Sequence, residues 1–223
     1  ERVDRERPAV ISSRIRLVRN WNQYVFPSRL TPDAGEEMIR QLKYGLRELG
    51  TADGRDYEYE DLQKLSELDK KALRERRVIN STIAAKKTPA GLILSEEEDA
   101  GIVLNGTDHI RIQLLSAGMH LEELWKQADR IDDFINEKFE YAFDEKYGYL
   151  TSFPTNMGTG LRASVVLHLP SLSMGKKFHG LTSEMSRFGA AVRSVYGDEN
   201  ENYGALYEVS NQKTLGISEK EIL

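Results

Sequence analysis

Five arginines stand out by their positions: Arg14, Arg16, Arg111, Arg162 and Arg193. Each lies in or beside a segment that reads as a β-strand, with few acids near it in sequence. Arg14 and Arg16 are two residues apart in the alternating run VISSRIRLV (10–18), so they share one strand face with Ser12, while Ser13, Ile15 and Leu17 share the other. Arg162 follows the glycine-rich stretch FPTNMGTG and opens a run rich in Val and Leu. Such a stretch lets backbone approach a ligand closely, and the arginine offers a forked cation at its mouth. Taken singly, each feature has an ordinary alternative: a solvated edge strand that discourages aggregation, or a hairpin with a surface arginine. Five such residues on strands of one sheet can converge, and converging guanidinium groups need an anion to hold them together. A triphosphate, whose charge is spread over many oxygens, suits forked donors. The chain has no G-x-x-x-x-G-K-S/T and no G-x-G-x-x-G opening a helix, so this is neither a P-loop enzyme nor a dinucleotide fold.

The elements that must carry these residues follow from pattern. Residues 10–18 form a strand. Thr31 or Asp33 caps a helix that runs to about Leu49, with Met38, Ile39, Leu42 and Leu46 on one face and Gly50 ending it. Residues 54–71 read as loop plus a short helix. Arg74, Glu75, Arg76 and Arg77 make a charge cluster whose default is a solvated helix face. Residues 90–95 and 100–105 are paired strands joined by an acidic turn. Residues 109–114 alternate, with Ile110, Ile112 and Leu114 inward and Arg111 on the face of His109 and Gln113. The longest helix spans 120–143. A hairpin is expected over 149–170, its first strand at 149–153. A helical region over 171–189, a strand at 190–196 carrying Arg193, an acidic loop at 197–204 and a last strand at 205–210 complete the chain. Strands come in hairpins with helices between groups of them. This is an α+β fold: a large, mostly antiparallel β-sheet backed by helices on one face.

Composition bounds the chemistry. The chain has 223 residues, 39% hydrophobic and 30% charged, which suits one large soluble domain, or a domain and a small lobe. It has no cysteine, excluding disulfides, cysteine-ligated zinc and a thiol nucleophile. His109, His120, His168 and His179 lack metal-ligand spacing, so no metal ligand is assigned. The net charge of -5 does not suggest nucleic-acid binding, yet a basic pocket can exist inside an acidic protein. No run is apolar enough to span a bilayer and no signal peptide is visible. The expected location is the cytoplasm. Residue 1 is Glu, and Ser218 with Glu221 makes a capping box just before the last residue, so the expectation is a piece of a longer protein.

Three segments carry a resemblance: SSRIRL at 12–17, DHIRI at 108–112 and TSFPTNMGTGLRAS at 151–164. In order and spacing they resemble the phosphagen (guanidino) kinases, and most closely the bacterial protein-arginine kinase branch. The likeness runs from about residue 10 to residue 223, leaving 1–9 as an N-terminal tail before a guanidino kinase-like catalytic domain. The resemblance implies an antiparallel sheet binding ATP with Mg2+ on its concave face. It implies transfer of the γ-phosphoryl group to a guanidino nitrogen, in the closest branch that of arginine side chains in a protein substrate. By position, Ser12, Ser13, Arg14, Ile15 and Arg16 match the phosphate-binding strand. Arg111 and Arg162 match further phosphate ligands, with Ala163, Ser164, Val165 and Val166 continuing that site. Arg193, Ser194, Val195, Tyr196, Gly197 and Asp198 match the last nucleotide-contacting segment. Arg77 falls where the family has a nucleotide-side histidine. Glu201 matches the carboxylate that orients the acceptor guanidinium. The branch's C-terminal region, which binds phosphoarginine and helps dimerisation, has no counterpart here, so a homodimer is expected only of a longer chain. Neither nucleic acid nor membrane is an expected partner. Small-guanidine kinases usually carry an N-terminal helical domain, and the little that precedes Val10 favours a macromolecular acceptor.

The chain departs from the family where the acceptor is handled. The family reads N-E-E-D-H, its second Glu a catalytic carboxylate; residues 105–109 here read N-G-T-D-H. Thr107 can neither accept the guanidinium proton nor pair with its charge, and losing one of two clamping carboxylates costs roughly 2–5 kcal/mol. Asp108 or Glu201 is the expected substitute for the missing carboxylate. Phe153 also stands where the family has a reactive cysteine. A nucleotide-binding pseudokinase with a regulatory role is therefore the second reading.

Overall fold

The computed structural model describes residues 9–173, 178–196 and 203–223. In chain order the elements are β1 (Val10–Arg19), α1 (Pro32–Gly45), α2 (Gly50–Asp53), β2 (Tyr57–Asp61), α3 (Glu67–Glu75), α4 (Ser81–Ala84), β3 (Gly91–Ser95), β4 (Ala100–Leu104), β5 (Ile110–Ala117), α5 (Leu121–Asn136), β6 (Phe143–Asp144), β7 (Gly148–Tyr149), β8 (Leu161–His168), α6 (Pro170–Ser173), α7 (Phe178–Arg187), β9 (Ala190–Ser194), β10 (Leu206–Asn211) and α8 (Glu219–Ile222). Eight strands form one sheet in the order β2-β3-β4-β5-β1-β8-β10-β9. Every neighbouring pair in it is antiparallel. The expected α+β architecture is present, and β1, first in sequence, lies in the middle. An edge-strand role for its arginines is thereby excluded.

Helices α1 and α5 cover one face. Ile15, Leu17, Ile112, Leu114 and Leu161 from the sheet pack on Met38, Leu42, Leu124, Ile131 and Ile135 from the helices. Burying side chains of this size stabilises by roughly 1.5–3 kcal/mol each. A second, smaller cluster joins Leu62, Leu73, Val78, Ile79 and Ile83 to Leu92 and Val103. Val103 is directly opposite Arg111 in the ladder, so this cluster lies on the arginine side. Helices therefore flank both faces, not one, and the α3–α4 segment roofs part of the face that α1 and α5 leave open.

Several boundaries differ from the pattern reading. α1 ends at Gly45, whose missing Cβ would fall 2.3 Å from the Phe139 ring. Leu46 and Leu49 stay buried in the turn that follows. Gly50 opens α2 instead of ending α1; a Cβ there would meet the Arg55 carbonyl oxygen at 2.3 Å. Residues 57–61 form the edge strand β2, not loop. α5 stops at Asn136, and the chain turns back so that Tyr141 bridges Trp21. Residues 149–153 do not form a strand of the main sheet: only Gly148–Tyr149 is paired, with Phe143–Asp144 in a separate two-stranded sheet. The backbone beyond it is committed elsewhere, because Ser152 N–H donates to Asp108 Oδ1 at 2.7 Å. Thr151 Oγ1 in turn donates to the Phe153 carbonyl at 2.8 Å. Ser218 and Glu221 do form a complete capping box on α8. Among the described residues no helix is long and apolar enough to cross a membrane.

Candidate functional site

Register decides which side chains share a face, since directly opposed residues of a ladder point the same way. Arg16 opposes Gln113 on β5 and Arg162 on β8. Arg14 opposes Leu115 and Ser164, and Arg111 opposes Val18, two residues beyond Arg16. Ser164 opposes Ser210 on β10, and Glu208, two residues earlier, opposes Arg193 on β9. Arg14, Arg16, Arg111, Arg162 and Arg193 thus arise from four strands and point to one face. Ser12, Ser164 and Val166 share it.

The remaining matched residues are divided. Ser13, Ile15, Ala163 and Val165 turn to the opposite face. Ile15 and Ala163 are in the main core. Ser13 Oγ donates to the Gly118 carbonyl at 2.8 Å and accepts from His120 N–H at 2.9 Å. These four reach the arginine face through backbone alone. Ser194 also alternates away, opposing Tyr207, and its Oγ donates to the Tyr196 carbonyl at 2.7 Å. Val195 N–H is taken by Leu206 carbonyl at 3.0 Å. Tyr196 is exposed and close enough to Arg77 to favour its charge. Gly197, Asp198 and Glu201 lie outside the described residues.

Arg77 joins the cluster from the α3–α4 connection. It leaves the helix in the left-handed region, φ 65°, a strained conformation for a non-glycine residue. Its carbonyl accepts from Gln113 Nε2 at 2.7 Å, and its guanidinium pairs with Glu208. Glu208 is the functional candidate that pattern reading missed. Its Oε1 accepts from Arg14 Nη2 at 2.6 Å while Oε2 faces Arg77. Its signal was only an acid alternating within the last strand. Arg14 Nε donates to Ser164 Oγ at 3.3 Å. Arg111 Nη2 donates to Gln113 Oε1 at 2.7 Å. Arg162 Nη1 donates to Asn211 carbonyl at 2.8 Å and its Nη2 to Asn156 Oδ1 at 3.4 Å. Arg16 Nε and Arg111 Nε are buried with no hydrogen-bond partner. Buried donors are almost always paired, so two idle guanidinium nitrogens on one face fit an acceptor-rich ligand.

The electrostatics point the same way. Burial, a lack of solvation for the cation, pulls Arg14 and Arg77 down to about 10 and Arg111 to about 9. Arg16 falls to about 10 through burial first, then repulsion from Arg162 and Arg14. Burial and then Arg193 and Arg14 lower Arg162 as well. All remain cationic at neutral pH; for Arg16, Arg111 and Arg162, which form no ion pair among the described residues, the lowered values go with poorly compensated charge.

The turn over 105–109 is anchored through Asp108. Its Oδ1 accepts from Asn20 Nδ2 at 2.8 Å and from Ser152 N–H, while Oδ2 is buried and unpartnered. Its charge favours that of Arg16. Thr107 is half-buried. Gly106 is packed so that a Cβ would touch Val103 at 3.3 Å and Ile83 at 3.4 Å. Lys86 Nζ donates to the Gly106 carbonyl at 2.8 Å.

The glycine-rich loop packs closely against the protein's own chain. Gly158 and Gly160 adopt φ of 105° and 63°. A Cβ at Gly158 would sit 2.2 Å from the Thr214 carbonyl oxygen, and one at Gly160 2.6 Å from Arg19 Nη1. These glycines admit the protein's own chain. Arg19, also missed by pattern reading, is the loop's anchor. It is fully buried, pairs with Asp132 at 2.7 Å, donates to the Thr159 carbonyl at 2.9 Å and stacks 3.6 Å from the Tyr149 ring. The loop thereby delivers Arg162 to the face at a fixed position.

A family model described as ATP:guanido phosphotransferase, C-terminal catalytic domain, matches residues 37–223. A protein-arginine kinase of Caldanaerobacter subterraneus subsp. tengcongensis is 39% identical over 218 residues, covering 98% of this chain and 65% of the relative. One from Halothermothrix orenii is 38% identical, covering 98% and 62%. The chain spans just under two thirds of the length of these relatives. Among solved structures, the duplicated taurocyamine kinase from Schistosoma mansoni with bound transition-state-analogue components superposes with a TM-score of 0.84 at 25% identity, over 96% of this chain and 31% of that one. A lombricine kinase gives 0.81 at 25% identity, over 96% and 62%.

Proposed function

The chain belongs to the ATP:guanido phosphotransferase family, as its C-terminal catalytic domain, and from that premise we propose that it transfers the γ-phosphoryl group of ATP to the guanidino nitrogen of arginine side chains in proteins. The observation that carries this reading is the convergence of Arg14, Arg16, Arg111, Arg162 and Arg193 on one sheet face, with Arg16 Nε and Arg111 Nε unpartnered. The names of the relatives, protein-arginine kinases, support the acceptor.

Phosphoryl transfer asks the protein mainly for positioning and charge stabilisation. The five arginines hold phosphate oxygens of ATP and neutralise charge that builds on the moving group. Arg77 lends a sixth cation from the roof. Ser12, Ser164 and Val166 line the same face, while Ser13, Ile15, Ala163 and Val165 contribute backbone. The segment from Arg193 through Ser194, Val195, Tyr196, Gly197 and Asp198 borders the nucleotide. Mg2+ accompanies the nucleotide and adds charge neutralisation at the phosphates. The acceptor's nitrogen forms the new N–P bond as the bond to the β–γ bridging oxygen breaks. Its guanidinium must be held and relieved of a proton, and Glu201 is the carboxylate for that task. Thr107 supplies none, and Asp108 is the nearest acid to it in sequence. The reading places the reaction in the cytoplasm on protein substrates, with neither nucleic acid nor membrane as a partner, and keeps homodimerisation for a chain that carries more than these 223 residues.

Incubation with ATP, Mg2+ and an arginine-rich protein is expected to yield acid-labile phosphoarginine, read by 31P NMR. A chain that binds ATP and forms no phosphoarginine under conditions where a relative does would reject the reading.

A further inference from the structure

Within the arginine face one acid is built in. Glu208 projects from β10 between Arg14 of β1 and Arg77 of the α3–α4 connection, bonding Arg14 Nη2 at 2.6 Å through one oxygen and Arg77 through the other. Among the described residues no carboxylate forms an ion pair with Arg16, Arg111, Arg162 or Arg193. The face therefore holds two kinds of cation: a pair already engaged by an internal carboxylate, and a group left for an outside anion. Both partners of Glu208 are poorly hydrated, being mostly buried, so the carboxylate is a strong competitor there.

We propose that Glu208 sets a charge threshold for the anion this face accepts. The inference rests on the phosphate-binding role proposed above and adds a specificity residue to it. A small anion arriving at Arg14 and Arg77 exchanges one carboxylate for one phosphate and gains little. It also meets the repulsion of Glu208 itself. An anion long and charged enough to reach Arg16, Arg111 and Arg162 at the same time gains contacts that Glu208 does not contest. Inorganic phosphate and sulfate are thereby held off Arg14 and Arg77, while a triphosphate chain that also reaches the uncontested arginines is admitted across the whole face. Glu208 also ties the roof to β10 across the sheet, so displacing it couples anion entry to release of Arg77.

The test is calorimetric binding of inorganic phosphate and tripolyphosphate to the 223-residue chain, compared with Glu208→Gln. The amide keeps the shape and removes the charge. The expected result is phosphate binding strengthened by about tenfold or more, with tripolyphosphate strengthened less, so that the preference for the longer anion narrows. Glu208→Ala is expected to shift both affinities in the same directions, and it serves if the glutamine variant fails to fold. An unchanged ratio, or equal weakening of both anions, overturns the threshold and makes Glu208 a strut for Arg14. If the wild-type chain binds no tripolyphosphate at all, the phosphate-binding role falls and the threshold with it. Tripolyphosphate bound by the wild type with a ratio indifferent to Glu208 removes the threshold alone.

Discussion

Replacing Arg16 by Met should make the ligand-free protein more stable and the nucleotide complex far weaker. Arg16 sits mid-sheet with an unpartnered Nε and no ion pair among the described residues. Its guanidinium is pulled well below its ordinary value, to about 10, by burial and then by Arg162 and Arg14. A fall of that size corresponds to roughly 3 kcal/mol of uncompensated charge. Because the folded value lies below the unfolded one, the penalty is in force at neutral pH and is relieved only as pH rises past about 10. Met keeps an unbranched apolar stem but is shorter than Arg, and the imperfect packing that results should return part of the gain. A net stabilisation of about 1–2 kcal/mol remains, which for a chain of this size is roughly 2–8 °C in Tm. ATP should lose a charge-assisted contact worth about 1.5–3 kcal/mol, a weakening of roughly 10- to 100-fold. Thermal denaturation in low-salt buffer and calorimetric titration with Mg-ATP measure both. Tripolyphosphate should shrink the stability difference by filling the face of the wild type. A lower Tm with unchanged ATP affinity would refute the reasoning, since it would make Arg16 a structural residue.

Other substitutions probe the surroundings of that face. Thr107→Glu is expected to raise phosphoarginine formation by at least about tenfold, because it returns a carboxylate beside the acceptor; an unchanged rate in a folded variant would remove position 107 from acceptor handling. Gly160→Ala should destabilise by roughly 2–4 kcal/mol, since φ is 63° and the new Cβ would lie 2.6 Å from Arg19 Nη1 and 2.7 Å from the Val18 carbonyl; a Tm within two degrees or so of wild type would contradict the anchor role. His109 is buried, accepts from Trp21 N–H at Nδ1 and donates from Nε2 to the Val25 carbonyl, and burial lowers it below its ordinary value. The unfolded chain takes up that proton first, so stability present above about pH 6.5 should fall as pH drops through that value. His109→Gln should flatten the fall in Tm between pH 7.5 and 5.5, and an equal fall in both proteins would assign it to other groups.

The arginine face was legible because alternation in a strand is a local property. Ser12, Arg14 and Arg16 share a face in VISSRIRLV whatever surrounds it, and Arg111 follows the same rule. What pattern could not supply was the partner of each strand, and hence that β1 is central and that Arg16 opposes Arg162. Glu208 and Arg77 are 131 residues apart and meet only through tertiary structure. The edge strand β2 escaped because its Tyr-Glu alternation reads as acidic loop, yet Tyr57 and Tyr59 pack against the main core. The strand expected over 149–153 failed for a related reason. Asp108 and Thr151 claim the backbone groups a ladder would have used, and nothing in the apolar content of that stretch reveals it. The glycines at 158 and 160 stand out in the sequence, but that their near neighbours are Thr214 and Arg19 is visible only in the fold.

The central claim is that guanidinium groups from β1, β5, β8 and β9 form one cradle for the phosphates of ATP. A crystal structure of the chain with a non-hydrolysable ATP analogue and Mg2+ tests it most directly. The expected result is phosphate oxygens within hydrogen-bond distance of Arg14, Arg16, Arg111, Arg162 and Arg193. A nucleotide bound away from these side chains would contradict it.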